Sequence, residues 1–483
     1  MRGYRCHKDL YLNIHHSEFE SPITPDQQAR FDQGNEVGEA ARKHFPGGVL
    51  VDFKPWDFFG SLKKTRELLA SHTPIIYEAA FEYQGCYART DIIKYSPDTQ
   101  RWKIYEVKSG TKVKDENLDD IGLQAWIIAN SGLPIEEINL VHLNPACRYP
   151  NLENLFIVED VTAQLRERYP NIGPKVRELF SVVKTDAIPA IQIGSHCLTP
   201  YECQFKAHCW KAAGVPEFSV LDLPKLGDKK WEYLRQGIMT VDDPRITELT
   251  PLQQRVVDVT KSGERFLDLP PIHEALKAWK FPLVFLDFET TNPAIPRYQD
   301  TGPYMHVPFQ FSVHHMESLE SEVSHLEFLH DLPTDPRPTL IPALLKACEG
   351  EGSIVAYYGR FETDRINEMA KTFPEYAAKL EALTQRIVDP LPLIREFIYD
   401  KEFKGSFSLK AVVPALLGEE QSYEGMLVAN GGDAQRAYQE IINPKTNPQR
   451  KEELLKASLE YCKKDTAVMV DLVKWLFQLK SNE

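Results

Sequence analysis

The chain has 483 residues, 42% of them hydrophobic and 26% charged, with a formal net charge of −14 from 56 basic and 70 acidic side chains. That length exceeds what one hydrophobic core supports and calls for at least two, while the negative balance argues against a protein that coats nucleic acid by bulk charge. No apolar run approaches the roughly 18 residues of a membrane helix, and the opening MRGYRCHKDLYLNIHH lacks the apolar core of a signal peptide, so a cytoplasmic protein without membrane association is expected.

Periodicity predicts a helix over 25–45, a β-meander over 75–108, a helix over 116–131 and an apolar strand over 136–143, together a mixed α/β unit. After Trp210 the helical patterns become short and are broken by Gly227, Gly237 and Pro244, which reads as a helical connector with the locally basic stretch KLGDKKWEYLR. From Phe281 a second α/β pattern begins. Strands are expected in PLVFLDFET, HVPFQFSVHHME, HLEFLH and GSIVAYYG, with a helix before the last and helices to the end. The expected division is 1–215, 216–275 and 276–483.

The eight cysteines are Cys6, Cys86, Cys147, Cys197, Cys203, Cys209, Cys348 and Cys462. Without a signal peptide they do not suggest a disulfide framework. Cys197, Cys203 and Cys209 are separated by five residues each, and with Cys6 they form a set of thiolates that can tie the ends of the first domain to one metal centre. Even gaps differ from the paired CxxC of a zinc ribbon, so zinc and an iron–sulfur cluster both stand as occupants. The other four read as packing residues.

Two sets of carboxylates stand out. In RWKIYEVKSG, strand alternation puts Glu106 and Lys108 on one face, and Asp91 in CYARTDIIKY lies on a strand able to pair beside them. Two carboxylates can hold a divalent cation, an ammonium can stabilise charge developing at phosphorus, and Gln124 on the following helix can orient a nucleophile or phosphate. Glu36 is a further candidate acid. An E-x-K tripeptide alone is a weak signal. The ordered set of helix acid, Asp91, Glu106-x-Lys108 and Gln124, closed by the cysteine triplet, resembles the PD-(D/E)XK nuclease superfamily, in particular the RecB-like exonucleases associated with CRISPR systems. That resemblance covers roughly 1–215 and implies a restriction-endonuclease-like fold, metal ligands at Asp91 and Glu106, catalytic roles for Lys108 and Gln124, and a [4Fe–4S] cluster on Cys6, Cys197, Cys203 and Cys209.

The second set begins at Asp287 and Glu289, two apart at the end of an apolar strand and hence on one face. Glu362 follows at a strand-to-helix junction, and Tyr461 and Asp465 share a helix face four residues apart. Carboxylates converging on a cation pair can position water and stabilise both oxygens of a phosphodiester displacement. Acids on a strand first and a Tyr-x-x-x-Asp pair on a late helix resemble the DnaQ-like, or DEDD, exonucleases of the ribonuclease H-like fold; GSFSLKAVVPALLG resembles the helix before their last motif, and Glu362 stands where they usually have Asp. This implies metal ligation by Asp287, Glu289, Glu362 and Asp465, with Tyr461 orienting the attacking water. His314 and His315 read as structural. The whole arrangement resembles a bacterial family that fuses a RecB-like nuclease to a DnaQ-like domain, which implies a DNA nuclease using Mg2+ or Mn2+, with 3′–5′ exonuclease activity in its C-terminal part. Three alternatives remain open: a non-catalytic DNA-binding clamp at the N-terminus, a nuclease-like subunit of a larger complex, and RNA as substrate.

Overall fold

A computed structural model describes residues 1–54 and 56–480. The chain is α/β, with helices packed on two mixed sheets, and it separates into two compact units. Residues 1–213 and 293–305 form the first; 214–292 and 306–483 form the second. The stretch expected as a connector, 216–275, groups with the second unit, and 293–305 groups with the first although it interrupts the C-terminal sheet. No helix among the described residues is long and apolar enough to cross a membrane.

In the first unit six strands lie side by side in sequence order: β1 (Val49–Leu50), β2 (Ile75–Tyr83), β3 (Cys86–Ser96), β4 (Arg101–Lys108), β5 (Ile135–Leu143) and β6 (Phe156–Asp160). β2, β3 and β4 form an antiparallel meander, whereas β4 and β5 are parallel. A parallel pair needs a crossover, which the Asp115–Asn130 helix supplies. Its Leu118, Ile121, Ala125 and Ile128 repeat at helical spacing and bury against Trp102 and Ile104 of β4. The opposite face of β4 carries Tyr105 and Val107 into a second core with Val37 and Ala41 of the Pro25–His44 helix and with Ala294, Ile295 and Tyr304 of the 293–305 segment. The Tyr304 hydroxyl donates to the Ser109 carbonyl at 2.6 Å. Alternation along β4 therefore leaves Glu106 and Lys108 on the same side as the crossover helix.

The second unit holds the two-residue strand β7 (Phe266–Leu267), then β8 (Leu283–Thr291), β9 (Val307–Met316), β10 (Val323–Leu329), β11 (Ile354–Val355), β12 (Ile387–Val388) and β13 (Ile398–Tyr399). β7 pairs with β13, while the main sheet runs β10-β9-β8-β11-β12 with β8 at its centre. β8 is antiparallel to β9 and parallel to β11. Val284, Leu286 and Phe288 face a core with the Arg337–Ala347 and Arg360–Thr372 helices. Leu283 and Phe285 face Met469, Val470 and Val473 of the last helix, Pro448–Gln478. Each fully buried side chain of this kind contributes about 1.5–3 kcal/mol. Continuing that alternation turns Asp287 and Glu289 toward the last helix. The strand expected over GSIVAYYG is cut to Ile354–Val355, because Tyr358 adopts a left-handed backbone (φ +64°) and Asp389 accepts the Tyr358 and Gly359 N–H groups.

Candidate metal and thiol centres

The first acid group sits where β2, β3 and β4 adjoin. Lys108 Nζ lies 2.8 Å from Glu106 Oε1 and 2.5 Å from Asp120 Oδ2. Asp91 Oδ2 accepts the Val107 N–H at 2.6 Å, which ties it to the strand carrying Glu106. Glu106 Oε2 is buried and without a hydrogen-bond partner among the described residues, as is Gln124 Oε1. Burial and the neighbouring Asp91 push the Glu106 carboxyl up to about 8, and burial lifts Asp91 to about 6 against the Val107 N–H. Burial pulls the Lys108 ammonium down, but Glu106 and Asp120 outweigh it and hold it above its ordinary value.

Two members of this group were not singled out in the sequence. Asp120 lies one helical turn before Gln124, a signal that spacing could have offered. Glu78 lies on β2, where the ladder passes from Tyr77–Ile92 to Ala79–Thr90 and skips it, with φ +57°. Its carboxylate takes Arg42 Nη1 at 3.5 Å and Arg89 Nη2 at 3.4 Å, and its charge raises Asp91. Glu36 pairs instead with Arg297 Nη2 at 2.7 Å.

The second acid group is denser. Asp287, Glu289 and Cys462 place one ligand atom each within 4.8 Å of one another. The Cys462 Sγ stands 3.6 Å from Asp287 Oδ2, so this cysteine, read from sequence as packing, belongs to the group. Asp465 Oδ1 accepts the Tyr423 hydroxyl at 2.5 Å. Lys410 Nζ donates to the Tyr461 hydroxyl at 3.1 Å and lies 4.9 Å and 4.8 Å from the ring centres of Tyr423 and Tyr461. Glu362, on the first turn of the Arg360–Thr372 helix, is 3% exposed, and its Oε2 has no hydrogen-bond partner among the described residues.

Burial, then Asp465, Glu289 and Glu362, raise Asp287 well above the carboxylate range. Burial with Asp465 lifts Glu289 to about 8, and burial lifts Glu362 to about 8. Burial also raises Asp465, against the Tyr423 and Tyr461 hydroxyls and the Lys410 and Lys464 ammonium groups. Carboxyl groups from three elements thus neighbour one another, with Asp465 and Glu362 disfavouring the ionisation of both Asp287 and Glu289 and Asp389 disfavouring that of Glu362, the setting that a divalent cation relieves. Lys410 lies in the helix of the GSFSLKAVVPALLG motif; Tyr423 lies in a loop with no periodicity, so no pattern could have marked it. The His314 ring Nδ1 shares a hydrogen bond with the Thr466 hydroxyl at 2.8 Å, and His315 Nε2 is buried without a partner among the described residues.

All eight cysteines are free. Cys6 sits between the Arg2–Arg5 and His7–His15 helices, Cys197 ends a 3₁₀ turn, and Cys209 lies on the Lys206–Ala213 helix. The Cys203 N–H donates to the Cys197 carbonyl at 2.8 Å. Burial raises the Cys197 thiol, with Cys6 and Cys209 adding to it, and pushes Cys203 up to about 11. The four are therefore close enough to feel one another's charge.

Residues 284–408 match a family model described as Domain of unknown function (DUF2779). The match takes in Asp287, Glu289 and Glu362 and ends before Lys410, Tyr461 and Asp465. No curated protein matches the chain.

Proposed function

We propose that the chain is a metal-dependent nuclease with two phosphodiester-hydrolysing centres, the second a 3′–5′ exonuclease. The observation that carries this is the second acid group: Asp287, Glu289, Glu362 and Asp465 neighbour one another from β8 and two helices, with Asp287 and Glu289 raised by burial and by the other acids and Glu362 Oε2 left unsatisfied among the described residues. Such crowding is costly unless cations occupy it. The donor set is oxygen-rich and fits Mg2+ or Mn2+. Asp287, Glu289, Glu362 and Asp465 would hold them, and bound cations of this class activate water and stabilise charge on a phosphodiester. Tyr461, kept un-ionised by burial and by Asp465, Glu289 and Asp287, would orient a water by its hydroxyl. A central β8 carrying the first two acids supports a ribonuclease H-like reading of this part. The meander-and-crossover arrangement of Asp91, Glu106, Lys108 and Gln124 supports a restriction-endonuclease-like reading of the first unit, and a cytoplasmic location is part of the same proposal.

The four thiols are read as ligands of a structural [4Fe–4S] cluster. Zinc on the same four thiols is the alternative, and only the cluster would colour the protein. A visible band near about 400 nm in anaerobically purified protein tests it.

The substrate is read as DNA, with RNA the alternative. End-labelled DNA and RNA, single- and double-stranded, are incubated with Mg2+ or Mn2+ and the wild type, Asp287→Asn or Lys108→Ala. Asp287→Asn should lower trimming from the 3′ end by about 10²–10³-fold or more, and Lys108→Ala should remove the remaining cleavage. Wild-type protein inert toward every substrate would sink the nuclease reading. A second reading rests on Lys108, whose ammonium is already satisfied by Glu106 and Asp120: cleavage untouched by Lys108→Ala would make the first unit a DNA-binding clamp.

A further inference from the structure

We propose that the second acid group is also a site for a thiophilic divalent cation of the zinc class, with Cys462 as its sulfur ligand beside Asp287 and Glu289. The inference rests on reading that group as a cation site and adds which ions it selects.

Cys462 is fully buried on the last helix, and its Sγ lies 3.6 Å from Asp287 Oδ2. A tetrahedral ion with a sulfur ligand at about 2.3 Å and a carboxylate oxygen at about 2.1 Å sets those two atoms about 3.6 Å apart. The observed separation therefore already suits such an ion. Glu289 completes a three-atom group within 4.8 Å. Glu362, whose charge acts on both Asp287 and Glu289, brings a buried Oε2 without a partner among the described residues to the same neighbourhood.

The chemistry of the donors separates the ions. Mg2+ takes oxygen ligands in near-octahedral geometry and gains nothing from sulfur, whereas Zn2+, Co2+ and Cd2+ bind thiolate strongly and accept four ligands. Binding exchanges the S–H proton of Cys462 for the metal, the proton leaving to solvent. The same carboxylates would then be held by an ion tied to sulfur, and Mg2+ would be kept out. A thiophilic cation thus acts on this centre as a competitor of Mg2+, and Cys462 is the residue that confers the sensitivity.

The test is cobalt titration of the anaerobically purified full chain, compared with Cys462→Ser and Cys462→Ala. The four cysteines of the first unit are the same in all three proteins and cancel in the difference spectra. The wild type should show a thiolate-to-cobalt charge-transfer band that both variants lack, whether or not their carboxylates still hold Co2+, and Asp287→Asn should weaken that band while leaving the thiol in place. Excess Zn2+ should displace the cobalt and excess Mg2+ should not. Superposable cobalt spectra for wild type and Cys462→Ser would overturn the proposal. Near-ultraviolet circular dichroism matching the wild type in at least one Cys462 variant secures the comparison. The cobalt band in a protein that hydrolyses no nucleic acid would remove the nuclease reading and leave this site standing; Asp287-dependent hydrolysis without the band would do the reverse.

Discussion

Glu106, Glu289 and Glu362 each rise from an ordinary 4.5 to about 8, so near neutral pH the metal-free protein holds most of these groups as acids. The folded state then binds more protons than the unfolded chain between those two values. Their stabilising contribution is complete below the unfolded value and is lost as pH rises through the folded one. The melting temperature of chelator-treated protein should accordingly fall from about pH 5 to about pH 9, and added Mg2+ should restore more of it at the alkaline end. A melting temperature that does not move with pH, or one that Mg2+ raises equally throughout, would contradict this. Residues whose role follows from alternation or helical spacing, such as Glu106 with Lys108, Asp287 with Glu289, and Tyr461 with Asp465, were legible in the sequence. Tyr423 and Glu78 were not: one reaches Asp465 from a loop, and the other stands opposite Asp91 across the β2–β3 ladder, a pairing that only the register reveals.

At the scale of elements, the skipped position on β2 is a strained joint. Glu78 has φ +57° without being glycine, a conformation that costs roughly 1–3 kcal/mol and tends to mark functional sites. Glu78→Gly should therefore retain more stability in urea than Glu78→Val, by about 1–3 kcal/mol, because a β-branched side chain is the least suited to that region. Equal stabilities would show that the backbone at this position relaxes freely. The central strands were readable from their two-residue period and apolar runs, and the Asp115–Asn130 helix from its three-to-four spacing. β11 was over-read because its apolar run continues past the point where Tyr358 turns the backbone. Its closeness to β8 is also invisible in sequence: a Cβ added at Gly352 would lie 1.8 Å from the Pro282 carbonyl oxygen, so only glycine lets the chain pass there.

For the whole molecule, the formal charge of −14 counts the carboxyl groups of the proposed centres as ionised, a state that bound cations favour and that burial opposes in their absence. Sequence suggested three stretches in linear order, whereas the structure makes the first unit discontinuous. NPAIPRYQDTGPYM carries only the signals of a loop, and its packing partners Val37, Tyr77 and Val141 lie far away in the chain. A fragment of 1–213 should therefore exchange its amide protons faster in β4 and β5 than the same fragment with 293–305 joined through a flexible linker; indistinguishable protection would show the segment to be dispensable. Ala294 is fully buried in that core, and this bears on synthesis. Domains generally fold as they emerge from the ribosome, N-terminal first. Here the earlier unit must wait, its core open on one side, until β8 and the segment beyond it have been translated. The unit that begins first cannot finish first, and a nascent chain halted between 213 and 293 would be the one most in need of a chaperone.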